Sequence, residues 1–409
     1  MRYKITAPKQ DLFAEVILPA SKSISNRALI MGAVGRSHQS IRNLAKCDDT
    51  DVLVRALTAD GNHFDVGAAG TSMRFMTAYL ASKPGDWHIT GSERMKHRPI
   101  AVLVDALNAL GAGITYEEQE GFPPLHIHGT ELKGGHIALD GGVSSQFISA
   151  ILMVAPSMKE GLTLELKGNI VSVPYIQMTL GMMAEMGIQS EWKDNIIRVA
   201  PQPYKIGDYE VEADWSASSY WYEMAALSQQ SSIHLPFLRE VSFQGDSAVR
   251  KIFEPLGIST RFERGGVTLS RSGKPVERFR YDFVGQPDLA QTLVVTCCAL
   301  EIPFEFSGVQ SLKIKETDRI AALKNECAKF GYLLTEPGEG MLAWNGERCA
   351  AQEEPVVATY EDHRMAMAFA PMAMVRGSVL IDQPMVVTKS YPEFWEHLKQ
   401  VGFTIEEIS

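Results

Sequence analysis

The 409-residue sequence contains no apolar run long enough to cross a membrane. Its two most apolar stretches, 147–156 and 365–375, are short or interrupted. The first residues, Met1-Arg2-Tyr3-Lys4-Ile5-Thr6, lack the apolar segment of a secretory signal. Cysteine is scarce: Cys47, Cys297, Cys298, Cys327 and Cys349 make an odd count of five with no Cys-x-x-Cys pair. That argues against a disulfide framework or a structural zinc site and fits a reducing, cytoplasmic setting. Positive charge is also in deficit, with 39 Lys+Arg against 49 Asp+Glu and a net charge of −10. Nucleic acid and anionic membranes are therefore poor partners. There is no Walker A loop, no G-x-S-x-G elbow, no H-E-x-x-H and no G-x-G-x-x-G after a strand. His126-Ile127-His128 puts two imidazoles on one strand face with no acidic or cysteine partner close by, and reads as structural.

What is present is an ordinary globular composition, 45% hydrophobic and 22% charged, at a length that favours two domains. One signature recurs: an apolar-periodic helix closed by a large apolar residue and Gly, then a β-like run. It occurs at Leu110-Gly111, Met186-Gly187, Leu256-Gly257, Phe330-Gly331 and Val401-Gly402, and more weakly at Asp60-Gly61. Glycine there serves as a left-handed C-cap that turns the chain back into a strand. The later copies lie roughly 70 residues apart, longer than solenoid repeats. The pattern predicts a βαβαββ-type unit with about three copies in each half. The halves meet near Glu212-Ala213-Asp214-Trp215-Ser216, with no Pro/Gly/Ser linker between them. The Met-rich run from Met365 to Met374 reads as helical core.

Against the acidic background, Lys and Arg cluster beside turns that open helices. Lys22-Ser23-Ile24-Ser25-Asn26-Arg27 follows Pro19, with Ser21 or Ser23 as cap and a helical run stopping near Gly32 and Gly35. Exposed first-turn amides with two cations make an anion site, for phosphate or carboxylate. Gly67-Ala68-Ala69-Gly70-Thr71-Ser72-Met73-Arg74 repeats the logic, with Thr71 or Ser72 as cap, and Gly141-Gly142-Val143-Ser144-Ser145-Gln146-Phe147 repeats it again. Met95-Lys96-His97-Arg98-Pro99 and Lys389-Ser390-Tyr391-Pro392 bring cations to further helix starts, where they oppose the dipole unless an anionic ligand is present. In Lys313-Ile314-Lys315-Glu316-Thr317-Asp318-Arg319 a strand ends and a helix opens, with Glu316 and Arg319 on one helical face. A carboxylate flanked by two cations suits proton transfer near an anion. Glu361-Asp362-His363-Arg364 is another charged helix start, and in Pro287-Asp288 the acid is either a cap or a functional group.

Taken in order, Ser-Lys-Ser-Ile-Ser-Asn-Arg, Ala-Gly-Thr-Ser-Met-Arg, Arg-Pro-Ile, Ser-Ser-Gln-Phe, Pro-Asp, Lys-Glu-Thr-Asp-Arg, Asp-His-Arg-Met-Ala and Lys-Ser-Tyr-Pro resemble the EPSP synthases of the enolpyruvyl transferase family, from Lys22 to Lys389. The resemblance implies an α/β fold, a two-domain inside-out barrel of six βαβαββ units with the active site in the interdomain cleft. Residues 1–18 plus 214–409 would form one domain and 19–213 the other. It implies transfer of the enolpyruvyl group of phosphoenolpyruvate to the 5-hydroxyl of shikimate 3-phosphate, without metal, cofactor or covalent intermediate, in a cytoplasmic monomer. By matching positions, Lys22, Ser23, Arg27, Ser144, Ser145, Gln146, Ser172, Tyr175, Asp288, Ser311 and Lys315 would contact shikimate 3-phosphate. Lys22, Gly70, Arg98, Gln146, Arg319, Arg364 and Lys389 would hold phosphoenolpyruvate. Lys22, Asp288 and Glu316 would be catalytic: Asp288 takes the hydroxyl proton, and Glu316 with Lys22 serves the methylene carbon. Gly70 implies a pocket that also admits the inhibitor glyphosate. Ala68 and Ser311 stand where many relatives carry Asn. Two rivals share the fold: a UDP-N-acetylglucosamine enolpyruvyl transferase, which would need a reactive loop cysteine, and a non-catalytic anion-binding protein. Cys47 is the one cysteine in the first half and does not sit in such a loop motif.

Overall fold

Five helical segments end on a glycine in the left-handed region: Gly111, Gly187, Gly257, Gly331 and Gly402, with φ of 105°, 80°, 87°, 95° and 98°. In each, the amide after the glycine donates to the carbonyl five residues back, for example Ile188 to Met183 at 2.9 Å and Phe403 to Leu398 at 3.0 Å. This is the closing bond of a Schellman turn, and each turn leads into a strand or β-bridge. Asp60-Gly61 behaves differently: the helix Asp48–Thr58 ends on Ala59 in extended conformation, and Gly61 is not left-handed. The first helix runs through Gly32 to Val34 and stops at Gly35, its C-cap, the second of the two glycines expected near its end. Gly32 is buried there, and packing outweighs the roughly 1 kcal/mol that glycine costs inside a helix.

The computed structural model describes residues 1–8, 11–36, 40–205 and 207–408. The chain divides into two units, Met1–Pro19 with Glu212–Ser409, and Ala20–Val211. In the unit Ala20–Val211, strands His63–Asp65 and Gly85–Thr90 run parallel, joined by the helix Gly70–Ala81. The helix Ala101–Ala109 follows, then Gly113–Tyr116 and Leu125–Gly129, with the last strand inserted antiparallel beside the second. Gly135–Asp140, Leu162–Lys167, Ser190–Lys193 and Ile196–Val199 repeat this path, with the helices Ser145–Val154 and Val173–Glu185 as connections. A third, two-stranded sheet pairs Ile41–Arg42 with Tyr209–Glu210.

The other unit has the same strand order in Leu12–Glu15, Ser231–Pro236, Gly266–Arg271 and Ile258–Glu263. In its second sheet the N-terminal strand Arg2–Thr6 lies between Ser378–Asp382 and Thr404–Ile408, with Val356–Val357 at the edge. Its third sheet has three strands, Phe279–Asp282, Phe304–Ser307 and Leu342–Trp344. Alternating burial along Gly135–Asp140 and Leu162–Lys167 gives each strand one core face. Helices such as Ser145–Val154 and His363–Phe369 are buried nearly all round, as their continuous apolar sequences require. Their starts therefore carry the polar chemistry. Among the described residues, no helix is long and apolar enough to cross a membrane.

Candidate active site

In the unit Ala20–Val211, the helices Lys22–Val34, Gly70–Ala81, Ser145–Val154 and Val173–Glu185 pack on one another. Ser21 caps the first, its Oγ accepting from the Ile24 amide at 3.5 Å. Lys22 in the first turn pairs with Asp49 at 3.1 Å, both side chains mostly buried. Arg27 is 3% exposed, and its guanidinium donates to the Thr179 hydroxyl (2.8 Å), the Ser149 hydroxyl (3.1 Å) and the Ser23 carbonyl (3.0 Å). These acceptors are neutral, and burial lowers its pKa to about 10. At neutral pH Arg27 keeps its charge, held without a carboxylate among the described residues at ion-pair distance.

Gly70 opens its helix directly against two guanidinium groups. A methyl group at Gly70 would collide with the Arg98 side chain and lie 2.6 Å from Arg74 NH1. Arg74 is buried, donates to the Gly70 carbonyl at 2.9 Å and lies 5.8 Å from the Phe147 ring centre. Ser144 caps the next helix through the Gln146 amide, and the Gln146 side-chain amide donates to the Thr71 hydroxyl at 3.3 Å. That bond ties two helix starts together. Ser172, before the helix containing Tyr175, is held at φ 54°, ψ 34° and makes no capping bond. A non-glycine residue in that region carries strain and occurs most at functional sites.

The second constellation lies in the other unit and is built on Arg319, 1% exposed at the start of the helix Arg319–Lys329. It pairs with Asp362 (2.6 Å), Glu316 (2.8 Å) and Asp288 (3.1 Å). Burial alone would lower its pKa, but these three carboxylates outweigh burial and raise it. Asp288 also receives Arg364 at 3.1 Å and Lys315 at 3.7 Å, while Asp362 caps the helix His363–Phe369 through the Arg364 amide. The Asp288 and Glu316 carboxylates stay partly exposed, at 19% and 24%. Fixed by cations yet open to a ligand, they can accept or donate protons.

The sequence profile of EPSP synthase (3-phosphoshikimate 1-carboxyvinyltransferase) matches residues 6–63 and 55–398. The chain belongs to the EPSP synthase family. It is 54% identical over 407 residues to a 3-phosphoshikimate 1-carboxyvinyltransferase of Bacteroides fragilis, covering 99% of each chain. It is 35% identical to one of Idiomarina loihiensis, covering 96% of this chain and 97% of that one. A solved structure of EPSP synthase from Acinetobacter baumannii superposes with a TM-score of 0.78 and 19% identity, covering 100% of both chains. That last likeness concerns the mixed α/β fold.

The positions matched to the EPSP synthase motifs fall into two groups. Lys22, Ser23, Arg27, Gly70, Arg98, Ser144, Ser145, Gln146, Ser172 and Tyr175 belong to the unit Ala20–Val211; Asp288, Ser311, Lys315, Glu316, Arg319, Arg364 and Lys389 belong to the other. Several local expectations are corrected. Neither Thr71 nor Ser72 caps the second helix start; Ala69 stands there without a side-chain bond. Arg98 follows the short helix Glu93–Lys96 rather than opening Ala101–Ala109. Lys389 closes the 3-10 turn Pro384–Lys389, donating to the Glu361 carbonyl at 2.9 Å. Glu316 precedes the helix whose face it was expected to share, after the 3-10 turn Gln310–Ile314, which also carries Ser311. Asp288 caps no helix, its carboxylate being taken by the arginines. His126 and His128 do have an acid: Asp86 on the neighbouring strand reaches them at 3.7 and 2.9 Å. Among the described residues, no group of three such side chains is placed to hold a metal ion.

Sequence reasoning passed over Asp49, Ser149, Thr179 and Asp362, and named Arg74 as a first-turn cation without assigning it a ligand. Asp362 stood inside the quoted Asp-His-Arg motif, and Arg74 inside Gly-Thr-Ser-Met-Arg; Asp49 gave no signal beyond an acidic helix start, for which solvation is the ordinary explanation.

Proposed function

We infer that this chain transfers the enolpyruvyl group of phosphoenolpyruvate to the 5-hydroxyl of shikimate 3-phosphate, releasing phosphate. Full-length 54% identity to a 3-phosphoshikimate 1-carboxyvinyltransferase carries the inference. The geometry supplies what the reaction needs: a cation-rich set of helix starts for two anionic substrates, and two carboxylates held by arginines.

In this reading Ser23, Arg27, Ser144, Ser145, Gln146, Ser172 and Tyr175 hold shikimate 3-phosphate, with Ser311 and Lys315 on its far side. The buried, carboxylate-free charge of Arg27 supports that assignment. Lys22, Gly70, Arg98, Gln146, Arg319, Arg364 and Lys389 hold phosphoenolpyruvate. Asp288 accepts the 5-hydroxyl proton as that oxygen bonds the central carbon of phosphoenolpyruvate. Glu316, partnered by Lys22, protonates the methylene carbon. The product is a tetrahedral ketal phosphate. Glu316 then removes a methyl proton, the carbon–oxygen bond to phosphate breaks, and the enol ether forms.

The three sheets of each unit are read as six copies of one βαβαββ unit, incomplete where sheets are short. The assigned residues come from both units. The protein is read as a cytoplasmic monomer whose phosphoenolpyruvate pocket also takes glyphosate. Cys47 gives no support to the sister reaction on UDP-N-acetylglucosamine: its thiol is buried, lies 3.5 Å from the Thr50 hydroxyl, and burial raises its pKa. The test is phosphate release from phosphoenolpyruvate. Dependence on shikimate 3-phosphate is expected; release with UDP-N-acetylglucosamine in its place would refute the reading.

A further inference from the structure

Near the Asp288 carboxylate lies another that the mechanism above does not use. Asp246 sits in the 3-10 turn Gly245–Ala248, is 3% exposed, and does not cap that turn. Its Oδ2 accepts the hydroxyl of Ser216, at the start of the helix Trp215–Leu227. Its Oδ1 is buried without a hydrogen-bond partner. The charged and titratable groups whose fields couple to it are Asp214, the cap of that helix; Asp288, on the turn Pro287–Leu289; Arg364, on the helix His363–Phe369; and Tyr281, on the strand Phe279–Asp282.

An unpartnered oxygen on a buried carboxyl is a cost to the fold, so stability gives no reason for an acid here. Its surroundings give another. Arg364 binds Asp288 through both its carboxylate and its carbonyl, and its charge also reaches Asp246. Burial, reinforced by the Asp288 charge, pushes the Asp246 pKa up to about 7, while Arg364 and the Ser216 hydroxyl favour its ionised form. Asp246 therefore responds to the charge of Asp288 in the working pH range.

We propose that Asp246 is a positioning residue for enolpyruvyl transfer, a buried acid that stands with Asp288 in the field of Arg364 and raises the basicity of Asp288 toward the 5-hydroxyl. The proposal rests on the function inferred above. The hydroxyl proton passes to Asp288 as the oxygen bonds to carbon, and Asp246 neither donates nor keeps that proton. When Asp288 becomes neutral, Arg364 loses its nearest counter-charge and the repulsion on Asp246 disappears. An ionised Asp246 then balances Arg364, which makes the proton transfer easier.

The test compares the full-length chain with Asp246→Asn, which keeps an acceptor for Ser216 and removes the charge. Phosphate release is measured with both substrates from about pH 5 to about pH 9. The expected result is a kcat roughly tenfold lower, both KM values within about twofold, and an acid limb of kcat moved down by about one pH unit. Ser216→Ala, which weakens the ionised form, moves the limb the same way by less, and it carries the test if Asp246→Asn does not fold. A folded variant with the wild-type kcat and pH profile would overturn the proposal, as would a loss seen only in KM. Failure of the wild-type chain to release phosphate would overturn the functional inference itself, whereas wild-type release with unchanged variants overturns this proposal alone.

Discussion

Replacing Gly70 by Ala offers a sharp steric test of the phosphoenolpyruvate site. Gly70 has no left-handed backbone and opens a helix, so alanine is conformationally acceptable and gains up to about 1 kcal/mol of helix propensity. The new methyl would stand 2.6 Å from Arg74 NH1, where ordinary contact begins at 3.4 Å, and it would also strike Arg98. The Arg74 guanidinium must retreat by about 0.8 Å, the difference between those two distances, and the nearer Arg98 guanidinium by more. Misplacing ligand-holding groups by about 1 Å can cost up to roughly 100-fold, so a tenfold or greater rise in KM for phosphoenolpyruvate is expected. Inhibition by glyphosate should weaken at least as much, while KM for shikimate 3-phosphate stays within about threefold. The assay is steady-state phosphate release with each substrate varied, alongside thermal unfolding. The steric argument fails if KM for phosphoenolpyruvate and inhibition are both unchanged, or if the variant merely unfolds at lower temperature.

Two further perturbations follow from the buried charges. Asp362→Asn leaves a capping oxygen but removes one of the carboxylates on Arg319; a loss of about 3 kcal/mol in urea unfolding is expected, and a change below about 0.5 kcal/mol would refute the role given to the pair. Glu223 is fully buried, and burial, only partly offset by the Thr296 hydroxyl, raises its pKa well above 4.5. A raised carboxyl contributes its full stability below the unfolded pKa and loses it as pH climbs through the folded pKa; Glu223→Gln should therefore gain stability over the wild type as pH rises from about 5 to 8, and parallel stability curves would exclude this.

What the sequence revealed depended on the range of the interaction. The glycine turns at Gly111, Gly187, Gly257, Gly331 and Gly402 were readable because a left-handed cap is settled by a few adjacent residues. Ser21 caps its helix for the same local reason. Of the two glycines expected near the end of the first helix, Gly35 is the cap; Gly32 lies inside, because the penalty of a mid-helix glycine is small beside the packing of its buried neighbours. The partnerships that define the site were hidden: Asp49 meets Lys22 across 27 residues, and Asp362 meets Arg319 across 43. Asp86 reaches His128 only through the register of two antiparallel strands. The matched motifs supplied the residue identities, but not which carboxylate each arginine holds.

Phosphate release by the wild-type chain and by Glu316→Gln, each with both substrates and with either one omitted, tests the central claim most directly. Gln can still accept a bond from Arg319 but cannot exchange a proton with carbon. The account predicts release only when both substrates are present, and a fall of at least roughly 100-fold in the variant with shikimate 3-phosphate binding retained. Release that needs one substrate alone, or a variant as fast as the wild type, would contradict it.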